Sequence, residues 1–266
     1  TLYPAVGLLF SVSVAASVLA LKHNSVALAI IGILGAFGAP IILSGFGQTS
    51  LDVVHSGQST SLIVYVIVVD VGVLLLSTFR SWRWLTLIAL VGSLFSYGAW
   101  HEEYGTTVSL LISQGSLTII FLLFVGATTF YHIIWRRTPR AMDYSLMSIN
   151  AIAFFVISYE LLSVDFRQWM GGFTLILSLF YGVMAYASLV RNKEHVYMSL
   201  MFSGIALVFL TIAVPVQLSG QWISIAWAVQ GAVIMWMSFV LRMPQMRIFS
   251  IGIFVAMAVR LIVVDT

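Results

Sequence analysis

Asp70 is the residue best placed to do chemistry, because it lies in the middle of a long apolar run, Thr60–Phe79. A helix rises about 1.5 Å per residue, so this carboxyl group would lie about 15 Å from either membrane surface. An ionised carboxylate at that depth is costly unless it is paired or hydrated. Two interpretations stay open: Asp70 is a proton or cation site, or it is a structural residue that is either protonated or hydrogen-bonded to a neighbouring helix.

Two charged and two neutral polar residues also lie within apolar runs. Glu160 and Arg260 fall in the outer thirds of their runs, and opposite charges at matching depth predict an ion pair. The alternative is that each side chain reaches separately to the outer surface. Gln114 and Gln230 complete the candidate polar site, although neutral amides more often bridge helices than bind ligands.

Glycine and proline mark two helices that could be broken. Gly32, Gly35 and Gly38 are spaced three apart, which predicts a flat helix face for close packing, and Pro40 follows them. Pro40 and Pro215 each free a backbone carbonyl, and broken helices of this kind bind ions in some transporters. Membrane helices tolerate proline and glycine widely, so the packing role is the alternative for both.

No residue set in the chain argues for catalysis. There is no cysteine, and no serine elbow, phosphate loop or zinc-spaced histidine pair is present. We therefore expect no catalytic residues, no metal and no cofactor, although these absences do not exclude an enzyme. The basic residues are spread over short loops and form no patch, so we also expect no nucleic-acid partner.

The elements that carry these residues must be transmembrane helices. Of the 266 residues, 61% are hydrophobic and 8% are charged, whereas soluble domains carry about 25% charged residues. A helix needs about 20 apolar residues to cross the hydrocarbon core. Ten stretches qualify: Tyr3–Leu21, Ser25–Ser44, Thr60–Phe79, Trp84–Trp100, Val108–Trp135, Tyr144–Ser163, Gly172–Val190, Val196–Leu218, Trp222–Leu241 and Ile248–Val263.

The loops between these stretches predict the orientation. Basic residues concentrate in alternate loops: Lys22, then Arg80 and Arg83, then Arg136, Arg137 and Arg140, then Arg191 and Lys193, then Arg242 and Arg247. The intervening loops hold Arg167 alone. Because positive loops stay in the cytoplasm, this alternation places both termini outside.

A faint parallel repeat relates the second to fourth helices to the eighth to tenth. The second helix ends with Pro40-Ile41-Ile42-Leu43-Ser44-Gly45, and the eighth ends with Pro215-Val216-Gln217-Leu218-Ser219-Gly220. Chance similarity between apolar helix ends is the alternative.

Several blocks of sequence resemble a known family. They are Gly35–Pro40, Tyr65–Asp70, Arg80–Leu85, Ala89–Ser93, Ala213–Trp222, Ala226–Ala232 and Arg260. In this order they resemble the DUF2339 family, predicted bacterial polytopic membrane proteins of unknown function. The resemblance implies a short member or a fragment of a longer chain. It also implies that an acidic residue often stands where this chain has Gln230. The family implies no agreed activity.

These observations predict an all-α polytopic bundle of about ten helices, forming one transmembrane domain over residues 1–266. We expect a multi-pass protein of a bacterial cytoplasmic (inner) membrane, in contact with lipid and with other membrane subunits. The shortage of polar residues within the helices favours a non-catalytic scaffold or accessory subunit. The alternative is a permease for a small apolar solute or lipid, coupled to protons or cations through Asp70.

Overall fold

Nearly all of the chain that the structure describes is helical. This computed structural model describes residues 11, 15, 19–20, 22–23, 25–46, 56–79, 83–135, 141–191, 196–219, 221–240 and 244–263. The helices are α1 (Val26–Phe46), α2 (Ser56–Phe79), α3 (Arg83–Tyr104), α4 (Leu110–Trp135), α5 (Ala141–Phe166), α6 (Met170–Arg191), α7 (Val196–Gln217), α8 (Gln221–Val240) and α9 (Pro244–Val263). A 3₁₀ turn, Arg167–Trp169, separates α5 from α6. Within those residues there is no strand, which confirms the all-α class.

Each of the second to tenth predicted helices corresponds to one of α1 to α9. The first predicted helix, residues 3–21, lies almost wholly outside the described residues. The count of about ten, the orientation and the outer position of both termini therefore stay predictions. The helices are longer than predicted at several ends. For example, α3 continues past Trp100 to Tyr104.

Six stretches of the described residues are long and apolar enough to cross a membrane. They are Thr60–Ser77, Leu110–Thr129, Met142–Val190, Tyr197–Gln217, Trp222–Phe239 and Met246–Val263. Met142–Val190 holds two predicted spans, α5 and α6, because only the short 3₁₀ turn interrupts it. The predicted spans Ser25–Ser44 and Trp84–Trp100 correspond to the helices α1 and α3 but are not among the six. In α1, Val26–Gly38 is a shorter apolar stretch.

Large apolar side chains lie on the outside of this protein. Leu111 is 82% exposed and Ile248 is 73% exposed, and many other Leu, Ile and Val side chains face outward. Several of the fully buried positions carry small polar residues, such as Ser93, Ser158 and Ser238. Lipid solvates an apolar exterior, while small residues let helices approach closely. The chain is therefore a membrane protein in contact with lipid.

The chain divides into two compact units, Thr1–Leu161 and Leu162–Thr266. In the first unit, α2 packs against α1, α3 and α4, and α3 also packs against α1 and α4. In the second unit, α6 packs along α7, α8 contacts α7, and α8 packs along α9. The sequence predicted a single transmembrane domain, and that grouping stays a prediction.

Candidate intramembrane polar site

The carbonyl freed by Pro40 is bound by a tyrosine from the next helix. Proline has no backbone N–H, so position 40 cannot donate to the carbonyl of Ala36 one turn earlier. The hydroxyl of Tyr65, on α2, donates to that carbonyl at 3.0 Å. Ala36 and Tyr65 are both buried. In this conformation the freed carbonyl therefore helps to hold α1 against α2.

The glycines before Pro40 do not share one environment. Gly32 is buried and Gly35 is exposed, and a Cβ atom added at Gly35 would meet nothing within 4 Å. The closest approach in this region is made by Gly92 of α3. A Cβ atom there would lie 2.7 Å from Cδ2 of Phe37. The ring of Phe37 on α1 therefore rests on α3 at a position where only glycine leaves room.

Asp70 is fully buried, with 0% of its surface exposed. Its Oδ1 atom shares a hydrogen bond with the hydroxyl of Ser93 on α3. The Ser93 hydroxyl also lies 2.9 Å from the carbonyl oxygen of Ala89, one turn earlier on its own helix. The Oδ2 atom of Asp70 has no hydrogen-bond partner among the described residues. Asp70 thus connects α2 to α3 through one oxygen only.

Polar side chains link the next helices of the first unit in the same manner. The Tyr97 hydroxyl donates to the carbonyl of Ser113 at 3.0 Å, which joins α3 to α4. Gln114 Nε2 donates to the Ser158 hydroxyl at 2.9 Å, which joins α4 to α5. A second bond between those helices runs from Asn150 Nδ2 to the carbonyl of Phe121 at 3.1 Å.

In the second unit, the carbonyl freed by Pro215 also receives an aromatic donor. Pro215 cannot donate to the carbonyl of Thr211, and the indole Nε1 of Trp227, on α8, donates to it at 3.1 Å. Gln230 Nε2 donates to the Thr211 hydroxyl at 3.0 Å, which in turn donates to the carbonyl of Leu207 at 2.8 Å. Both polar groups of Thr211 are thereby bound.

Gln217, at the end of α7, holds the start of α6. Its Oε1 atom accepts from the backbone N–H of Gly171 at 3.1 Å. Its Nε2 atom donates to the carbonyl of Gln168 at 3.3 Å. The first N–H groups of a helix have no partner within that helix, so this side chain satisfies one of them. A Cβ atom at Gly171 would lie 2.3 Å from Gln217 Oε1, so the contact requires glycine.

The remaining predicted pair falls across the two units. Glu160 is an exposed residue near the end of α5 in the first unit. Arg260 lies in the last turn of α9 in the second unit. Their ion pair stays a prediction.

One comparison with known proteins identifies the chain. A family model described as "Predicted membrane protein (DUF2339)" matches residues 2–265. The chain belongs to this family. No curated protein and no solved structure matches it. The resemblance found in the sequence is therefore confirmed over nearly the whole chain, and the DUF2339 family supplies no activity for the residues above.

The sequence of this DUF2339 protein predicted candidate site residues, but it did not predict the residues that bind them. Tyr65, Trp227 and Ser93 were not predicted as site residues, although each binds a group at or near one. One sequence signal could have pointed to Tyr65 and Trp227. A proline within a membrane helix leaves a carbonyl that needs a donor, and both are aromatic donors in the helix that follows.

Proposed function

We propose that this DUF2339 protein is a non-catalytic scaffold or accessory subunit of an assembly in a bacterial cytoplasmic membrane. The observation that carries the proposal is the use of the buried polar groups. Amides, hydroxyls and an indole inside the helices bind the backbone or side chain of a neighbouring helix, as Tyr65, Asn150 and Trp227 do. A carrier of a polar solute needs polar groups left over to line its path. In the described residues the buried side-chain atoms without a hydrogen-bond partner include Oε1 of Gln114 and of Gln230, and we infer that such atoms are too few to form a path.

The hydroxyls within single helices support the same proposal. Thr128 and Thr174 donate to carbonyls one turn earlier, at 2.9 and 2.7 Å. Such bonds keep a hydroxyl on its own helix and withdraw it from any solute. The partners expected for a scaffold are lipid and other membrane subunits, with no nucleic acid.

Asp70 is the observation that favours a second candidate function. Its Oδ2 atom has no hydrogen-bond partner among the described residues, and a proton- or cation-coupled permease would use such an atom. Under that alternative the substrate is a small apolar solute or a lipid, because many polar side chains inside the described helices already bind a neighbouring group. No second acid accompanies Asp70 on α2, so a proton relay along that helix has no further carboxyl group.

A pair of proteins in liposomes distinguishes the two functions. Asp70→Asn is nearly isosteric and keeps an N–H donor for the neighbouring hydroxyl. Vesicles with a pH-sensitive dye inside receive an imposed membrane potential, and proton entry is measured for wild type, Asp70→Asn and empty vesicles. A scaffold gives the same slow entry in all three, with an unchanged or raised melting temperature for the variant. Entry through the wild type that Asp70→Asn abolishes, at unchanged stability, would overturn the scaffold.

Mild extraction provides the positive test of the scaffold. The protein is extracted from its native membrane and analysed by native mass spectrometry. We expect a discrete complex heavier than the chain, with other membrane subunits in fixed stoichiometry. A lone chain carrying only lipid would contradict the proposal.

A further inference from the structure

The contact between Asp70 and Ser93 contains more acceptors than a single hydroxyl hydrogen can serve. The Ser93 Oγ atom lies within hydrogen-bond distance of two oxygens, Oδ1 of Asp70 and the carbonyl oxygen of Ala89. A serine hydroxyl has one hydrogen to donate and two lone pairs with which to accept. A carbonyl oxygen can only accept. If both contacts are hydrogen bonds, the second hydrogen must come from the carboxyl group of Asp70.

We infer that Asp70 is a proton-binding site, occupied in this conformation. Its carboxyl group is a neutral acid whose O–H donates to Ser93 Oγ, while the Ser93 hydroxyl donates to the carbonyl of Ala89. The two hydrogen bonds run in one direction, from Asp70 to Ser93 and from Ser93 to Ala89, so each hydrogen has an acceptor. Asp70 Oδ2 is then the carbonyl oxygen of a neutral acid.

The ionised alternative leaves a charge without compensation. Ser93 would turn its hydrogen toward Asp70, and the 2.9 Å contact with Ala89 would place two oxygens together without a hydrogen. The buried Oδ2 atom would then carry negative charge with no partner among the described residues. A buried carboxylate in that state is far costlier than the neutral acid.

The helices that pack on α2 supply no compensating cation near Asp70. Residues 26–46 of α1 and 110–129 of α4 contain no charged residue. On α3, Arg83 and Glu103 are each ten residues from Ser93, about 15 Å along the helix. His101 and Glu102, near the end of the same helix, are almost as far away. The other titratable groups in these parts of the helices are tyrosines. The hydroxyls of Tyr65 and Tyr97 already donate to carbonyls.

The ligand of this site is therefore the proton and not a metal cation. A cation needs the carboxylate form and several oxygen ligands. Among the described residues, Ser93 Oγ is the one side-chain oxygen hydrogen-bonded to the carboxyl group. The inference is independent of the proposed function. A scaffold keeps the proton permanently, and a coupled permease would have to reach another conformation to release it.

Infrared spectroscopy of isotope-labelled protein tests the inference. Protein with ¹³C in the aspartate carboxyl groups is measured at about pH 6, where a free aspartate with pKa about 3.9 is about 1% protonated. We expect a ¹³C-shifted C=O stretching band of a protonated carboxylic acid. The band should be absent in Asp70→Asn and retained in Asp143→Asn, a matched change of the buried aspartate in the first turn of α5.

Ser93→Ala provides a second readout that does not depend on removing Asp70. Loss of the acceptor should move the acid band to higher frequency, as in a carboxyl group that no longer donates a hydrogen bond. Wild-type protein that shows only carboxylate bands at about pH 6 would overturn the inference. So would an acid band that survives in Asp70→Asn. If Asp70→Asn fails to fold, the wild-type spectrum and its shift in Ser93→Ala still decide the question.

Discussion

Tyr65→Phe is the substitution that most directly probes how this protein accommodates a proline within a membrane helix. It removes one hydroxyl and keeps the ring that is buried between helices. The carbonyl of Ala36 then has neither the N–H that Pro40 lacks nor the hydroxyl that replaces it at 3.0 Å. The free energy of unfolding of the protein should fall because a buried acceptor loses its partner.

Two magnitudes bracket the effect. Hydrogen bonds between helices in membrane proteins average about 0.6 kcal/mol and reach about 1.7 kcal/mol, because the unfolded state in lipid also finds partners. A buried polar group left with no partner at all costs about 1–3 kcal/mol. Tyr65→Phe belongs at the overlap of these ranges, since Pro40 prevents the helix from recovering the bond. We expect a loss of about 1–2 kcal/mol.

A double-mutant cycle isolates the contribution of Pro40 to this loss of stability. Pro40→Ala restores the N–H at position 40, so the carbonyl of Ala36 regains its partner within the helix. In that background Tyr65→Phe should cost about 0.5 kcal/mol or less, which gives a coupling energy of about 1 kcal/mol. The assay is equilibrium unfolding in mixed micelles, followed by circular dichroism. Equal losses in both backgrounds, or a loss within error of zero in the native one, would refute the reasoning.

Three other predictions concern packing, charge and topology. Gly92→Ala should destabilise the protein by about 1–3 kcal/mol, because its Cβ atom would lie 2.7 Å from the ring of Phe37. Gly98→Ala on the same helix meets nothing within 4 Å and should be neutral or stabilising; equal melting temperatures for the two variants would contradict this. Arg260→Gln should lower the melting temperature in detergent, and adding Glu160→Gln should recover part of the loss if the two charges pair; additive losses would show that they do not. Single cysteines should be protected from external impermeant reagents at inner loops and labelled at outer positions, and the opposite pattern would overturn the orientation. The inner positions are Ser81, Thr138 and Asn192, and the outer ones are Ser56 and Ser219.

Most helix positions were predictable from the sequence. The predicted stretches Val196–Leu218 and Trp222–Leu241 differ by one residue or less at each end from α7 and α8. A chain segment within lipid must be apolar and must satisfy its own backbone hydrogen bonds, so it forms a continuous apolar helix that hydropathy predicts closely. The ends of α3 were less predictable. It continues through Glu102 and Glu103, because a helix can extend into the interface where water solvates its carboxylates.

The partners of the site residues were not predictable, because they depend on how helices face one another. The sequence shows that Asp70 is an acid in an apolar run, but not that Ser93 is the residue that meets it. Hydropathy treats a serine in α3 and a serine in α2 alike. Rotation of each helix about its axis decides which of them is buried, and that rotation comes from packing that one sequence does not display.

The two proline sites bear on the repeat that the sequence suggested. In lipid, a carbonyl freed by a proline must find some donor, so the aromatic donors Tyr65 and Trp227 could each arise independently. The order of the helices is harder to attribute to proline chemistry. In both units the helix with the proline is followed by the helix that supplies the donor. A third helix comes next, and a serine on it binds the second helix.

Those serines are the informative part. Ser93 of α3 binds Asp70 of α2, and Ser250 of α9 donates to the carbonyl of Gly231 of α8 at 2.7 Å. Nothing about a freed carbonyl on the first helix requires a serine on the third. We therefore propose that α1 to α3 and α7 to α9 are two copies of one three-helix unit. On this proposal the second helix of the first copy carries an acid, Asp70, five residues after its donor, and the second helix of the second copy carries an amide, Gln230, three residues after its donor.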